Sequence, residues 1–275
     1  VSSDPSFDAL LPPAMAAKVA DVGVAKASLP LSRMIPLGVL AGAFIGLGAH
    51  FSTVITADTT LAPGVSRLLG GLVFSLGLIL VVVSGAELFT GNTLIVVAAV
   101  SRRVRPSSLL RNWGVIYVSN FAGAAATALL VHASGRLDAG DGSVGQRAVA
   151  IAEAKAGLTF GNALVSGILA NALVCLAVWM TLSARTLVDK VVAIVPPITA
   201  FVAAGFEHSV ANMYFFPVAL FHGVADGSPA TWQAFAVDNL IPVTLGNIVG
   251  GAVLVGSVYW FVYLRPAGSQ SVHTG

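Results

Sequence analysis

Glu207 and His208 stand side by side in a stretch, Val191 to Ala225, that contains no other Asp, Glu, Lys or Arg. Glu87 holds a matching position in Leu68 to Ser101 as its only charged residue. A titratable imidazole in the middle of such apolar sequence is costly to keep unless something uses it or hydrogen-bonds it, and its natural chemistry there is to bind a small anion or carry a proton. A bare carboxylate at the same depth would repel an anion, so Glu207 is expected to be hydrogen-bonded to fixed partners. Asn212 and Lys155 are the partners the sequence offers, and Lys155, at the outer mouth of a span, can also concentrate anions. His50, His132, His222 and His273 lie toward span ends or in the tail and are read as ordinary. Cys175, the single cysteine, sits in an apolar run and is read as a small buried hydrophobe. The sequence has no His-Glu-x-x-His pair, Walker loop, Cys pair or Gly-x-Ser-x-Gly turn, so no catalytic role, metal or cofactor is expected.

The elements that carry these residues are set by composition. Of 275 residues, 56% are hydrophobic and 9% charged, with a mean hydropathy of +0.89. A soluble domain carries about a quarter charged residues, so a soluble enzyme is excluded, and 29 glycines favour closely packed helices over a barrel. The net charge of +2 gives no reason to expect a nucleic-acid partner. Charge-free runs then mark the spans, since a helix needs about 20 apolar residues to cross the bilayer. Four are plain: Ile35 to Thr56, Asn112 to Gly135, Ala156 to Ala184 and Asn239 to Leu264. Leu68 to Ser101 and Val191 to Ala225 are too long for one upright helix and make the second and fifth spans.

With six spans both termini share a side. Lys18, Lys26, Arg33, Arg102, Arg103, Arg105, Arg111, Arg185, Lys190 and Arg265 fall there, against Arg67, Arg136, Arg147 and Lys155 opposite, so both termini are expected to be cytoplasmic. Residues 1–30 have no long apolar core and two acids before any base, unlike a cleavable signal. Pro12 and Pro13, followed by Met15, Val19 and Val22, predict an amphipathic helix lying on the cytoplasmic membrane surface. The organisation expected is a 1–30 amino-terminal segment, a 31–265 transmembrane domain and a 266–275 tail. Trp113, Trp179, Trp260 and Tyr263, near span ends, read as interfacial anchors.

Three matches recur in order when the second half is laid on the first. Gly38-Val39-Leu40-Ala41-Gly42-Ala43 aligns with Gly167-Ile168-Leu169-Ala170-Asn171-Ala172. Gly85, Glu87 and Asn92 align with Gly205, Glu207 and Asn212, and Asn112, Asn120, Gly123 and Ala125 with Asn239, Asn247, Gly250 and Ala252. An odd number of spans per repeat turns the halves opposite ways, which predicts a three-plus-three inverted repeat with its site at the midplane. Ser84 to Asn92 and Gly205 to Asn212 make poor lipid-facing helix, so the second and fifth helices should break there and line a path. Asn120, Asn247, Ser84 and Ser209 are read as polar glue between helices.

Gly85-Ala86-Glu87-Leu88-Phe89-Thr90-Gly91-Asn92, Ile168-Leu169-Ala170-Asn171, Val174-Cys175-Leu176-Ala177-Val178-Trp179, Gly205 to Met213 and Asp238-Asn239-Leu240-Ile241-Pro242-Val243-Thr244 resemble the formate/nitrite transporter family, most closely its bacterial formate channels. The resemblance covers nearly the whole chain. It implies an all-α, aquaporin-like six-helix protomer in the bacterial cytoplasmic membrane, assembled as a homopentamer with one pore per protomer. It implies formate, or alternatively nitrite, hydrosulfide or another small monovalent anion, as the permeant species; the second function class the spans allow is a non-transporting membrane enzyme or receptor. By position, Leu78, Leu88 and Thr90 would form a cytoplasmic constriction and Phe74 and Phe201 a periplasmic one, with His208 between them. Phe89 and Val174 would add to the constrictions, and Lys155, Asn171, Glu207 and Asn212 would be the surrounding polar set. Apolar constrictions oppose a bare anion, so the mechanism expected is that His208, near Thr90, gives a proton to the anion. The competing version is a pore in which charged His208 and Thr90 bind the anion.

Overall fold

The computed structural model describes residues 9–57 and 60–265. The first eight residues of the amino-terminal segment, the 266–275 tail and His273 lie outside them. The described residues form ten helices, besides one turn of 3-10 helix at Arg136–Asp138: α1 (Pro12–Ala27), α2 (Leu31–Thr56), α3 (Pro63–Ser84), α4 (Phe89–Val100), α5 (Pro106–Ala133), α6 (Ser143–Ala156), α7 (Phe160–Ser183), α8 (Leu187–Ala204), α9 (Ser209–His222) and α10 (Ala234–Tyr263). Helices α2, α3, α5, α7, α8 and α10 are long and apolar enough to cross a membrane. Helices α4 and α9 complete the spans that α3 and α8 begin.

Both breaks are built alike. Helix α3 stops where Gly85 takes φ 77°, and α8 where Gly205 takes φ 75°, a left-handed conformation that only glycine enters at little cost. The chain then runs extended to Leu88 and to His208 before turning helical again. The backbone groups freed at each break need partners in a dry interior, and one asparagine supplies them at each. Asn120 Oδ1 accepts from Phe89 N at 2.8 Å, while its Nδ2 donates to the carbonyls of Glu87 and Gly38 at 2.9 and 2.7 Å. Asn247 does the same for Ser209 N, Glu207 O and Gly167 O at 2.9, 3.0 and 2.8 Å. These two asparagines do more than join helices, because they fix the shape of the broken spans.

Helices α2 and α5 cross through glycine. A Cβ on Gly123 would come within 2.8 Å of the Val39 carbonyl carbon, and one on Gly42 equally close to that of Asn120. Gly250 and Gly246 play this part between α10 and α7. Gly123→Val is therefore expected to force the helices apart and abolish the monodisperse peak in detergent size-exclusion chromatography. Gly114→Val, at a glycine with nothing within 4 Å of an added Cβ, should leave the peak intact.

The repeat has five helices per half. Helix α6, absent from the sequence reading, matches α1: 129 residues separate Lys26 from Lys155, as they do Gly38 from Gly167. Helix α1 buries Met15, Ala16, Val19, Ala20 and Gly23, and α6 buries Val144, Gly145, Ala148 and Ala152. This corrects the expectation of a helix resting on the membrane. The small residues of α1 let its apolar face pack on protein, against Leu94, Val97, Cys175, Trp179 and Val255. Trp179 is accordingly buried beside α1 and tilted on Tyr259, with centroids 4.3 Å apart, rather than anchored at an interface. Trp113 is half-buried and donates to the Asn92 carbonyl at 2.9 Å.

Candidate functional site

Two cavities enter the protein from opposite faces along the broken spans. The one under α1 has a volume of about 230 Å³ and is lined by Val22, Lys26, Glu87, Leu78 and Leu88 among others. The one under α6 has about 160 Å³ and is lined by Arg67, Arg147, Lys155, Phe74, Phe201 and His208 among others. They are separate. Leu78 and Leu88 close the first, while Phe74 and Phe201 close the second with their rings edge-on at 5.6 Å. Phe74 and Leu78 are one helical turn apart on α3, so the dry wall is about 6 Å thick along that helix.

His208 lies in this wall, almost fully buried at the head of α9, and stacks on Phe201 at 5.9 Å. Its Nδ1 accepts the Ala211 backbone N–H at 3.1 Å, capping the helix. A ring nitrogen that accepts an N–H carries no proton, so the neutral imidazole holds its proton on Nε2. That Nε2–H donates to Thr90 Oγ1 at 2.9 Å, which leaves the Thr90 hydroxyl proton for a third partner. Thr90 is held in turn: its carbonyl accepts from Thr93 Oγ1 at 2.6 Å and Asn171 Nδ2 at 3.2 Å. Asn171 also donates to the Asn247 carbonyl at 2.6 Å, and so ties α7, α4 and α10 together from outside both cavities.

The carboxylates are neutralised in two matching networks. Glu207 Oε1 pairs with Lys155 Nζ at 2.7 Å, and its Oε2 accepts from Asn212 at 2.7 Å and Asn239 at 3.3 Å. Glu87 Oε1 pairs with Lys26 Nζ at 2.9 Å, and its Oε2 accepts from Asn92 at 2.7 Å. Asn112 and Asn239 close the networks, accepting from Asn92 and Asn212 at 3.0 and 2.7 Å and donating to the Lys26 and Lys155 carbonyls. Each acid thus arrives at its break already paired. Lys155 also sits 5.4 Å from the centre of the Phe215 ring.

The structure gathers Thr90, Lys155, Asn171, Glu207, His208 and Asn212 around the wall, with Phe74, Leu78, Leu88 and Phe201 forming it. Phe89 departs from its expected place: its ring packs on Tyr117 and Trp113 of α5, at 4.9 and 6.3 Å, and lines neither cavity. Val174 is buried core, and Val178 one turn on reaches the α1-side cavity instead. Cys175 is buried and bonded to Thr93 and the Thr90 carbonyl. Sequence reasoning gave no site role to Lys26, Asn112, Asn239, Arg67 or Arg147. The signal for Lys26 was its 129-residue offset from Lys155, and for Asn112 and Asn239 it was their place in the repeat.

These features, six apolar spans in two opposed halves around a dry wall with charged vestibules, define a membrane channel or transporter. The family model for formate/nitrite transporters matches residues 13–261. The chain is 43% identical to the formate channel FocA of Escherichia coli K12, over 96% of this chain and 98% of that protein. Among solved structures it is similar to a pentameric formate channel with formate bound, with TM-score 0.80 and 42% identity over 86% of this chain and 98% of that one. An ion channel of the same family gives TM-score 0.79 at 31% identity, over 91% and 98%. The chain belongs to the formate/nitrite transporter family. It is a multi-pass inner-membrane channel protein with an all-helical fold, not an enzyme.

Proposed function

We propose that this chain passes formate across the membrane, with nitrite as a second permeant ion, and that it works as a homopentamer with one pore per protomer. The observation that carries the reading is the pair of lysine-bearing cavities facing each other across a dry wall whose fixed polar link is His208–Thr90. The 43% identity to a formate channel and the likeness to a pentameric one support it.

An anion drawn toward Lys155 or Lys26 loses hydration as it reaches the phenylalanines or leucines. A weak acid's anion binds a proton more tightly as it is desolvated, because burial disfavours the charged form. The proton is taken up from hydronium of the aqueous phase on the entry side and released to water on the far side, and between the two the neutral acid crosses the wall with its carbonyl oxygen held by the Thr90 hydroxyl. His208 acts as the neutral group that fixes Thr90, since its Nδ1 is already occupied by Ala211 N–H. The path then asks nothing of a charged imidazole.

The ten-to-four division of Lys and Arg supports a cytoplasmic α1 face and a periplasmic α6 face. The organisation proposed is a 1–30 segment whose helix covers the cytoplasmic cavity, a 31–265 channel domain and a 266–275 tail. Purified protein in liposomes should take up labelled formate faster than empty liposomes, with nitrite competing. Uptake no faster than in empty liposomes would contradict the reading.

A further inference from the structure

Arg147, Ile151 and Lys155 follow one another at four-residue intervals on α6, and all three line the periplasmic-side cavity. This stripe places Arg147 about 12 Å along the helix axis from Lys155, toward the mouth. Arg67, from the first turns of α3, lines the same cavity. The Arg147 Nε donates to Thr56 Oγ1 at 3.1 Å, which orients the guanidinium and leaves its Nη fork uncommitted. Burial, and then the nearby charge of Arg67, push the Arg147 guanidinium below its usual range. Two cations held this close repel each other. Among the described residues, no acid lies within ion-pair distance of either. Glu207 is taken by Lys155, and Glu153, on another face of α6, accepts from Ser228.

The opposite face of the repeat shows that this is not a general requirement of the fold. Lys18, the counterpart of Arg147 at the 129-residue offset, donates to the Leu182 carbonyl at 2.8 Å and does not line its cavity. The arginine pair therefore belongs to one mouth only.

We propose that Arg67 and Arg147, with Thr56 as the orienting group, form an entry site that selects planar two-oxygen anions such as formate and nitrite over spherical or single-atom anions. A guanidinium fork matches two carboxylate-type oxygens at once, which a halide or hydrosulfide cannot offer. The site deepens the formate-channel reading and rests on it for the meaning of selection, though its occupancy can be read without transport. From it the anion passes to Lys155, deeper along the same helix face.

The test has a binding arm and a flux arm. Phenylglyoxal modification of Arg67 and Arg147 in the purified protein, mapped by peptide mass spectrometry, should be slowed several-fold by sodium formate and much less by sodium chloride at equal ionic strength. Equal protection by both salts, or protection by neither, overturns the site. In liposomes, Arg67→Gln with Arg147→Gln should raise the KM for formate several-fold with little change in maximal rate, and should narrow the preference for formate over hydrosulfide. Arg67→Lys with Arg147→Lys, which keeps both charges and loses both forks, should recover salt-dependent attraction without the preference. Unchanged KM and preference in the double variant overturn the proposal. If the unmodified protein shows formate-specific protection and no flux, the entry site stands and the channel reading fails.

Discussion

His208→Asn is expected to lower formate flux at every pH while preserving its pH dependence. Asparagine can still accept the Ala211 N–H as a helix cap, but it is too short to reach Thr90 Oγ1, now 2.9 Å from the imidazole. Thr90 then loses the partner that aims its hydroxyl. Losing one fixed hydrogen bond in a dry passage costs about 1–3 kcal/mol, or roughly a 5- to 150-fold drop in flux. The neutral-acid fraction rises as pH falls, so uptake should increase toward acidic pH in the variant as in the unmodified protein. His208→Phe should show the same drop and also lower thermal stability, because the cap is lost as well. Flux measured between mildly acidic and neutral pH decides the matter. If His208→Asn keeps its rate at neutral pH but no longer responds to acid, the imidazole is itself the proton carrier and the role given to it here is wrong.

The second large effect concerns Lys155. Its side chain is 14% exposed and that of Glu207 is 3% exposed, so Lys155→Met strands a carboxylate that cannot be rehydrated. Removing one partner of a buried pair costs about 3–5 kcal/mol, enough to shift the unfolding midpoint in detergent downward by many degrees. The vestibule also loses the cation that draws anions in, so flux should fall with stability. Adding Glu207→Gln to Lys155→Met removes the stranded charge. The double variant should regain most of the lost stability, by thermal unfolding, while its flux stays low because the attracting cation is still missing. Full recovery of flux in the double variant would show that Lys155 serves only to neutralise Glu207.

The residues that break the spans were legible because they violate the rule for apolar helices. Glu87, Glu207 and the glycines beside them interrupt long runs, and their identical spacing exposed the inverted repeat. Asn120 and Asn247 were visible as repeat partners, yet their role needed coordinates, since no spacing tells which carbonyls an amide reaches. Helix α1 was legible as a helix and misplaced: Met15, Val19 and Val22 fit a membrane-surface stripe, while Ala16, Ala20 and Gly23, which seat it on protein, carry little hydropathy signal. Helix α6 is more polar still and was not read as a helix, and Arg147 on it, like Arg67 on α3, was read only for its side of the membrane. Phe89 was assigned to the pore by likeness of motif, and its direction depended on a rotamer that puts the ring against Tyr117. His208 stood out from the start, but only the Ala211 N–H on its Nδ1 shows which nitrogen holds the proton.

Lumenal pH and membrane potential, followed together as a formate gradient is imposed across liposomes containing the protein and across empty liposomes, distinguish passage of the acid from passage of the anion. Passage as the neutral acid delivers one proton with each formate. Lumenal acidification above that of empty liposomes, in step with formate entry, and no potential are therefore expected. A potential set by the formate gradient without matching acidification would mean that the bare anion crosses the wall, and would contradict passage as the neutral acid.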